Sequence, residues 1–199
     1  MVLIGSCAKK DDDTAAASTS VTSTTASGSI TVGSETLSGT YVSACNTTQF
    51  AAAAGTQFFP SDVKSGKTVI VVTSDTTFSD EMLMYTDTSC STPTAYTKNG
   101  NTSVTVGVAS GSNYLVTYNS STYKVNAYTA VAQDNLTAAL ITDISDIDLT
   151  TLGKEFSSTG SSSAYKNVWS VTSTTYQQGQ ELDNGTQPTA MDSMVMTKE

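Results

Sequence analysis

The chain of 199 residues contains no histidine and no arginine, and these two absences remove several classes of function. Without histidine, a Ser-His-Asp or Cys-His catalytic group, a histidine-ligated zinc ion and the usual proton shuttle near neutral pH are excluded. The basic residues are 9 lysines, against 18 aspartates and glutamates, and the net charge is −9. Because phosphate binding depends on clustered Lys and Arg, we expect no nucleic-acid partner. We predict that the protein is not an enzyme.

Long apolar runs are also missing, since no stretch approaches the roughly 20 apolar residues that a membrane-spanning helix needs. Threonine is abundant, with 36 residues, and together with valine and tyrosine it favours strands over helices. A chain of 199 residues is long enough to form one domain with an ordinary core.

The first seven residues form a short apolar segment that ends in a cysteine. Leu3-Ile4-Gly5-Ser6-Cys7 resembles the lipobox of bacterial lipoproteins, in which an aliphatic and two small residues precede the acylated cysteine. The resemblance implies that residues 1–7 are the end of a signal peptide that begins further upstream, and that lipid on Cys7 anchors the protein in a membrane. Ala8, rather than aspartate, follows Cys7, which in such lipoproteins goes with export to the outer membrane. We therefore expect an envelope protein that faces the periplasm or the cell surface.

Residues 8–28 consist mainly of Ala, Ser, Thr and charged residues, and Val21 is their only large apolar side chain. Such a segment buries too little apolar surface to offset the entropy cost of ordering, so we predict a disordered tether. Its root-mean-square reach as a flexible coil is roughly 25 Å. Residues 29–199 are predicted to form the single folded domain.

Three cysteines leave one unpaired in an exported protein. If Cys7 carries lipid, Cys45 and Cys90 remain to form a disulfide in an oxidising compartment. The chain-entropy model gives such a bond about 4 kcal/mol of stability. A thiolate metal site would need close Cys or His spacing, which is lacking, so we expect no metal and no other cofactor.

Apolar and polar residues alternate through most of residues 29–199, which indicates strands with one buried face. The alternating positions are Leu37, Gly39, Tyr41 and Cys45; Met82 and Met84; Val104, Val106 and Val108; Tyr114, Val116 and Tyr118; Tyr123, Val125 and Ala127; Tyr165, Trp169 and Val171; and Met194 and Met196. Four consecutive aliphatic residues at 69–72 indicate a strand covered on both faces. Turns are predicted at Asn99-Gly100, Ser110-Gly111, Asn119-Ser120 and Asp183-Asn184-Gly185.

The spacing of apolar residues changes between residues 134 and 156. The apolar residues there lie three or four apart, at Leu136, Leu140, Ile144 and Ile147, which predicts a short helix with Asp134 as its N-cap. The predicted fold is therefore mainly all-β, with eight or nine antiparallel strands and one short helix late in the chain. A closed β-barrel is favoured because closure removes edge strands, and a two-sheet β-sandwich is the alternative.

Three segments resemble a family of small bacterial envelope lipoproteins. They are Gly39-Thr40-Tyr41-Val42-Ser43-Ala44-Cys45, Tyr85-Thr86-Asp87-Thr88-Ser89-Cys90-Ser91-Thr92-Pro93, and Pro188-Thr189-Ala190-Met191-Asp192 with the closing Thr197-Lys198. A looser similarity is to lipocalins, whose first strand carries Gly-x-Trp and whose last strand places a basic residue over that ring. Here Tyr41 stands for the tryptophan and Lys198 for the basic residue. The resemblance implies an envelope location and a lipocalin-like barrel.

Methionine and aromatic residues on the predicted strands are the candidates for a ligand pocket. Tyr41, Met82, Met84 and Trp169 are the predicted lining of a pocket for a small apolar or amphipathic molecule. Trp169 with Tyr114, Tyr118 and Tyr165 forms either a surface that stacks on a sugar or a structural aromatic cluster. The alternative function is an interaction or structural module of the envelope with a packed core, since a ligand site needs a cavity of about 300 Å³ or more. The sequence leaves the oligomeric state open.

Overall fold

The computed structural model describes residues 22–56, 58–141, 144–159, 164–180 and 186–199, and it forms a closed antiparallel barrel. The strands are β1 (Ile30–Val32), β2 (Glu35–Leu37), β3 (Thr40–Ser43), β4 (Ser65–Val72), β5 (Phe78–Tyr85), β6 (Pro93–Ser110), β7 (Asn113–Ala127), β8 (Phe156–Thr159), β9 (Ala164–Val171), β10 (Thr175–Gln178) and β11 (Met196–Lys198). The helices are α1 (Thr48–Ala53) and α2 (Ala130–Leu140).

Eight strands close the barrel in the order β3, β4, β5, β6, β7, β9, β10 and β11. Strand β11 then pairs with β3, which places Met196 opposite Ser43 and Lys198 opposite Tyr41. Strand β8 pairs with β7 beyond the end of the β7–β9 pairing. The predicted barrel is confirmed, and the two-sheet sandwich is wrong, because the β3–β11 pairing joins the two edges that a sandwich would leave open.

Strands β6 and β7 form one long hairpin, and its turn is at the predicted Ser110-Gly111. The turns predicted at Asn99-Gly100 and Asn119-Ser120 are wrong, since both dipeptides lie inside strands. Gly100 adjoins a β-bulge, where an added Cβ would come 2.3 Å from the Thr122 hydroxyl. The absence of a side chain at this position therefore allows β6 and β7 to approach closely, and the chain does not reverse there. The predicted turn at residues 183–185 lies outside the described residues.

The N-cap of the late helix lies five residues earlier than predicted. Thr129 is the N-cap of α2, because its hydroxyl accepts a hydrogen bond of 3.1 Å from the Ala132 N–H. Asp134 lies exposed inside the helix, so its predicted capping role is wrong. Ile144 lies beyond the helix but packs in the same apolar cluster as Leu140, which explains the spacing in the sequence. The short helix α1, not predicted, buries Phe50 against the barrel.

Two apolar clusters occupy the two ends of the barrel interior. The first cluster contains Ile30, Val32, Leu37, Tyr41, Ile70, Val72, Phe78, Val104, Val116, Trp169, Tyr176 and Met196. The second cluster contains Phe50, Val63, Met84, Ala95, Val125, Ala127, Ala132, Leu136, Leu140 and Leu149. The hairpin of β1 and β2 contributes to the first cluster, and α1 and α2 contribute to the second. Each end is therefore filled by side chains of the chain itself.

Residues 22–28, the last part of the predicted tether, lie against the outer face of the barrel, and we call them the N-terminal strap. The Ser27 N–H donates to the Val72 carbonyl over 2.9 Å. Ala26 packs on an outer apolar patch that includes Val69 and Val71. Both faces of β4 are thus covered, as the aliphatic run at 69–72 predicts. The strap adds these residues to the domain that the sequence places at 29–199.

A buried carboxylate, that of Glu81, fixes the strap to the barrel wall. It accepts hydrogen bonds from the hydroxyls of Thr22 and Thr24. On the barrel itself, the Ser79 hydroxyl donates to it over 2.9 Å, and the Lys98 ammonium lies 3.6 Å away. Burial of a charge is costly without such partners, so the strap, β5 and β6 depend on one another at this point.

The predicted disulfide between Cys45 and Cys90 is confirmed, with Cα atoms 5.9 Å apart. It ties the chain after β3 to the loop between β5 and β6. In the part of the chain that the structure describes, neither helix has the length and apolar character to cross a membrane.

Candidate functional site

A cavity of about 150 Å³ lies inside the barrel, between the two apolar clusters. Strand β5 gives its position: Phe78 belongs to the first cluster, Asp80 and Met82 line the cavity, and Met84 belongs to the second cluster. These alternate residues point to the same side of the strand, which is the barrel interior. We call this space the central cavity.

Six neutral polar side chains make up most of the cavity wall. They are Thr97, Asn99, Asn101, Ser120, Asn167 and Gln178. The strand pairing brings them together, because Asn101 is opposite Ser120 across β6 and β7, and Asn167 is opposite Val116 across β7 and β9. The wall has a hydrogen-bonding character that neither end of the barrel shares.

Three of these polar side chains are almost fully buried: Thr97, Asn101 and Asn167 expose 8%, 4% and 6% of their surface. The Asn167 side-chain oxygen accepts from the backbone N–H of Val168 (2.7 Å) and of Gly179 (2.9 Å), while its NH₂ group has no partner within the described chain. The same holds for the Thr97 hydroxyl and the Asn101 carboxamide. None of these groups is among the fully buried unpaired polar atoms of the described chain, so they face the accessible space of the cavity, where a small molecule or water can pair with them.

The rim of the cavity is at the beginning of β9. Tyr165 is 38% exposed there, and its ring stacks on that of Tyr118 with centres 5.8 Å apart and planes 14° from parallel. Lys166, also exposed, lines the same side. Exposure thus falls from Tyr165 at the rim to Asn101 and Thr97 at the base, and a molecule would enter beside Tyr165.

Two charged side chains of opposite sign line the cavity, Asp80 and Lys166. The lining therefore carries no net charge near neutral pH.

Of the four predicted pocket residues, only Met82 lines the central cavity. Tyr41 and Trp169 are fully buried in the first cluster, and Met84 in the second. Trp169 contacts the Phe78 and Tyr176 rings edge-on, with centres 5.3 and 5.5 Å away. These large side chains fill the barrel ends instead of facing a ligand.

The aromatic residues divide between the two roles that the sequence leaves open. Tyr165 lines the cavity, Tyr114 and Trp169 belong to the packing of the first cluster, and Tyr118 does both. The Lys198 ammonium lies 5.9 Å from the centre of the Tyr41 ring, the contact that the lipocalin resemblance implies.

Sequence reasoning missed the polar wall. The available signal was the alternation of Thr97, Asn99 and Asn101, which continues the inward face of β6 from Ala95. It was hidden because Asn99-Gly100 is typical of a turn.

Two predictions concern other sites. Cys7, the predicted lipid attachment, lies outside the described residues. Within the described ranges, no three Cys, Asp or Glu side chains come together in a way that would hold a metal ion.

Comparison of the sequence with models of known protein families and with curated proteins gave no match. The resemblance to envelope lipoproteins and to lipocalins stays a prediction.

Proposed function

We propose that this protein is a lipid-anchored lipoprotein of the bacterial envelope whose barrel binds one small molecule in the central cavity. The proposal is supported mainly by Thr97, Asn101 and Asn167, three largely buried polar side chains at inward positions that direct hydrogen-bonding groups toward the accessible space of the cavity. A barrel that only needed a core would place apolar side chains there, as it does at both ends. Convergent polar groups in a concave site are typical of a ligand pocket.

The size and lining of the cavity narrow the ligand. Its volume of about 150 Å³ is below the roughly 300–1,000 Å³ of pockets for drug-sized molecules. Its wall is mostly polar, with Met82 and two tyrosines as the less polar part. We therefore propose a small molecule with polar groups and an apolar face, in place of the purely apolar ligand that the sequence also allows.

Binding without catalysis fits the chemistry of the lining. Glycoside hydrolysis uses a pair of carboxylates, and the described lining contributes one, Asp80. The chain has no histidine to serve as a general base near neutral pH.

The binding proposal is tested by native mass spectrometry of the full-length protein, purified from the envelope in mild detergent. We expect one small-molecule adduct per chain, and an Asn101→Leu variant should lose it. Asn119→Leu is the matched control, since Asn119 is on β7 but does not line the cavity. An adduct that survives Asn101→Leu and is lost from Asn119→Leu would contradict the site.

The anchor proposal is supported by the lipobox resemblance at Cys7. Its test is metabolic labelling with a palmitate analogue in cells that express the chain behind a complete lipoprotein signal. We expect label in the wild type and none in Cys7→Ser. Label that persists in Cys7→Ser would overturn the anchor.

A second candidate function, an envelope module without a ligand, is favoured by the filled ends of the barrel. In that case the central cavity holds only water. Wild-type protein from the envelope with no adduct, and no thermal stabilisation by any small molecule, would support this second function.

A further inference from the structure

We infer that the molecule bound in the central cavity is a neutral polyhydroxylated ring of about the size of one monosaccharide. This inference rests on the proposed ligand-binding function and adds the chemical class of the ligand. It depends on the hydrogen-bonding groups, the charge, the volume and the aromatic surface of the site.

The hydrogen-bonding groups match hydroxyls. Four carboxamides line the cavity, those of Asn99, Asn101, Asn167 and Gln178. A carboxamide presents a donor and an acceptor side by side, and a ligand hydroxyl both donates and accepts. A ring with several hydroxyls satisfies such a wall from more than one strand, whereas an apolar molecule would leave the buried Asn101 unpaired.

The charges argue for a neutral ligand. Asp80 and Lys166 have opposite signs, and Asp80 already has an interaction partner within the chain. The net charge of −9 disfavours an anion at any site without a basic cluster. A cation would face Lys166 at the rim.

The volume admits one ring. The cavity volume of about 150 Å³ is half the lower limit of roughly 300 Å³ for pockets that hold drug-sized molecules, which fits one small ring and not a fatty acid or a peptide. Tyr165 and Tyr118 supply aromatic surface at the rim, where the C–H face of such a ring packs while its hydroxyls reach Asn101. The partial exposure of Tyr165 leaves a path for entry.

The test is a titration of the full-length, oxidised protein, followed by calorimetry and by saturation-transfer NMR. The probes are neutral sugars (glucose, galactose, mannose and N-acetylglucosamine), the cation glucosamine, the anion glucuronate, and the amphiphile decanoate. A methyl glycoside and a disaccharide of the best sugar distinguish a free monosaccharide from the end of a longer glycan. We expect saturable binding of at least one neutral sugar, with the charged analogues at least tenfold weaker.

Two variants locate the binding. Asn101→Leu and Tyr165→Ala should each weaken the sugar about three- to tenfold or more, as expected for the loss of a buried hydrogen bond or of aromatic contact. Asn119→Leu should leave the affinity unchanged. Tyr165 is exposed, so its variant stays informative if Asn101→Leu fails to fold.

The other outcomes separate the ligand class from the function. Tight binding of glucosamine, glucuronate or decanoate in place of neutral sugars overturns the inferred class and leaves the binding function intact. Sugar binding that neither Asn101→Leu nor Tyr165→Ala weakens overturns the site. If no probe binds and envelope-purified protein carries no adduct, both the inference and the proposed function are overturned.

Discussion

Glu81 is a single residue on which the stability of this barrel depends, because its carboxylate is fully buried on the outer face. Glu81→Ala removes the acceptor shared by Thr22, Thr24 and Ser79 and takes away the carboxylate that faces the Lys98 ammonium. We expect the free energy of unfolding to fall by about 3 kcal/mol, measured by urea denaturation.

The control for Glu81 is Asp75→Ala, which removes an exposed carboxylate and should change stability by less than about 0.5 kcal/mol. Equal losses for Asp75→Ala and Glu81→Ala would contradict the role of the buried carboxylate.

Asp87 is a residue whose effect depends on pH. Hydrogen bonds from Ser89 and Thr92 hold the pKa of its carboxyl well below the ordinary value. A depressed pKa in the folded state stabilises the protein above the unfolded pKa, about 3.9, and that contribution is lost as the pH falls toward the folded value.

We therefore expect Asp87→Asn to lower the melting temperature at pH 7, with the difference from wild type narrowing below about pH 4. Thermal unfolding of both proteins at pH 7, 4 and 2.5 measures this. A difference that widens in acid would show that another group dominates.

At the scale of elements, α1 packs closely on β4 at Gly66. A Cβ at Gly66 would come 2.0 Å from the Phe50 ring, so Gly66→Ala forces the helix away from the sheet. We expect a loss of about 1–3 kcal/mol in chemical denaturation. Gly107→Ala is the matched strand control, since its nearest contact is 3.4 Å, and it should be better tolerated. Phe50→Leu should recover part of the loss in the Gly66→Ala background.

The N-terminal strap is a second element with a measurable contribution. A chain that begins at residue 29 uncovers the Glu81 carboxylate and the outer patch around Val69 and Val71. We expect it to be less stable by about 2 kcal/mol or more than a chain that begins at residue 22. Equal unfolding midpoints for the two chains would mean that the contacts of the strap do not stabilise the barrel.

At the scale of the whole molecule, the Cys45–Cys90 bond closes a long loop that contains β4 and β5. Cys45→Ser with Cys90→Ser, or reduction of the wild type, should lower the free energy of unfolding by about 4 kcal/mol. Denaturation with and without reductant measures this, and the double serine variant should not respond to the reductant. A wild type that is insensitive to reduction would contradict a stabilising bond.

The sequence by itself determined the fold class, the disulfide and the strand covered on both faces. Period-two alternation is a local property of a strand, and the pairing of Cys45 with Cys90 was predicted on the premise that Cys7 carries lipid. The four consecutive aliphatic residues Val69–Val72 were enough to predict a strand that is buried on both faces, without knowledge of the strands beside it.

Only the tertiary structure decided which inward positions form a site. Closure of eight strands places residues of β5, β6, β7, β9 and β10 around one space, and a single strand carries no record of its neighbours. Trp169 and Tyr41, conspicuous in the sequence, became core because the barrel ends are narrow enough for side chains to fill. Asn99 and Asn101, typical of a turn, became part of the cavity wall because β6 continues past them in register with β7. Burial on the inner face of a closed sheet depends on curvature and register, which are properties of all the strands together.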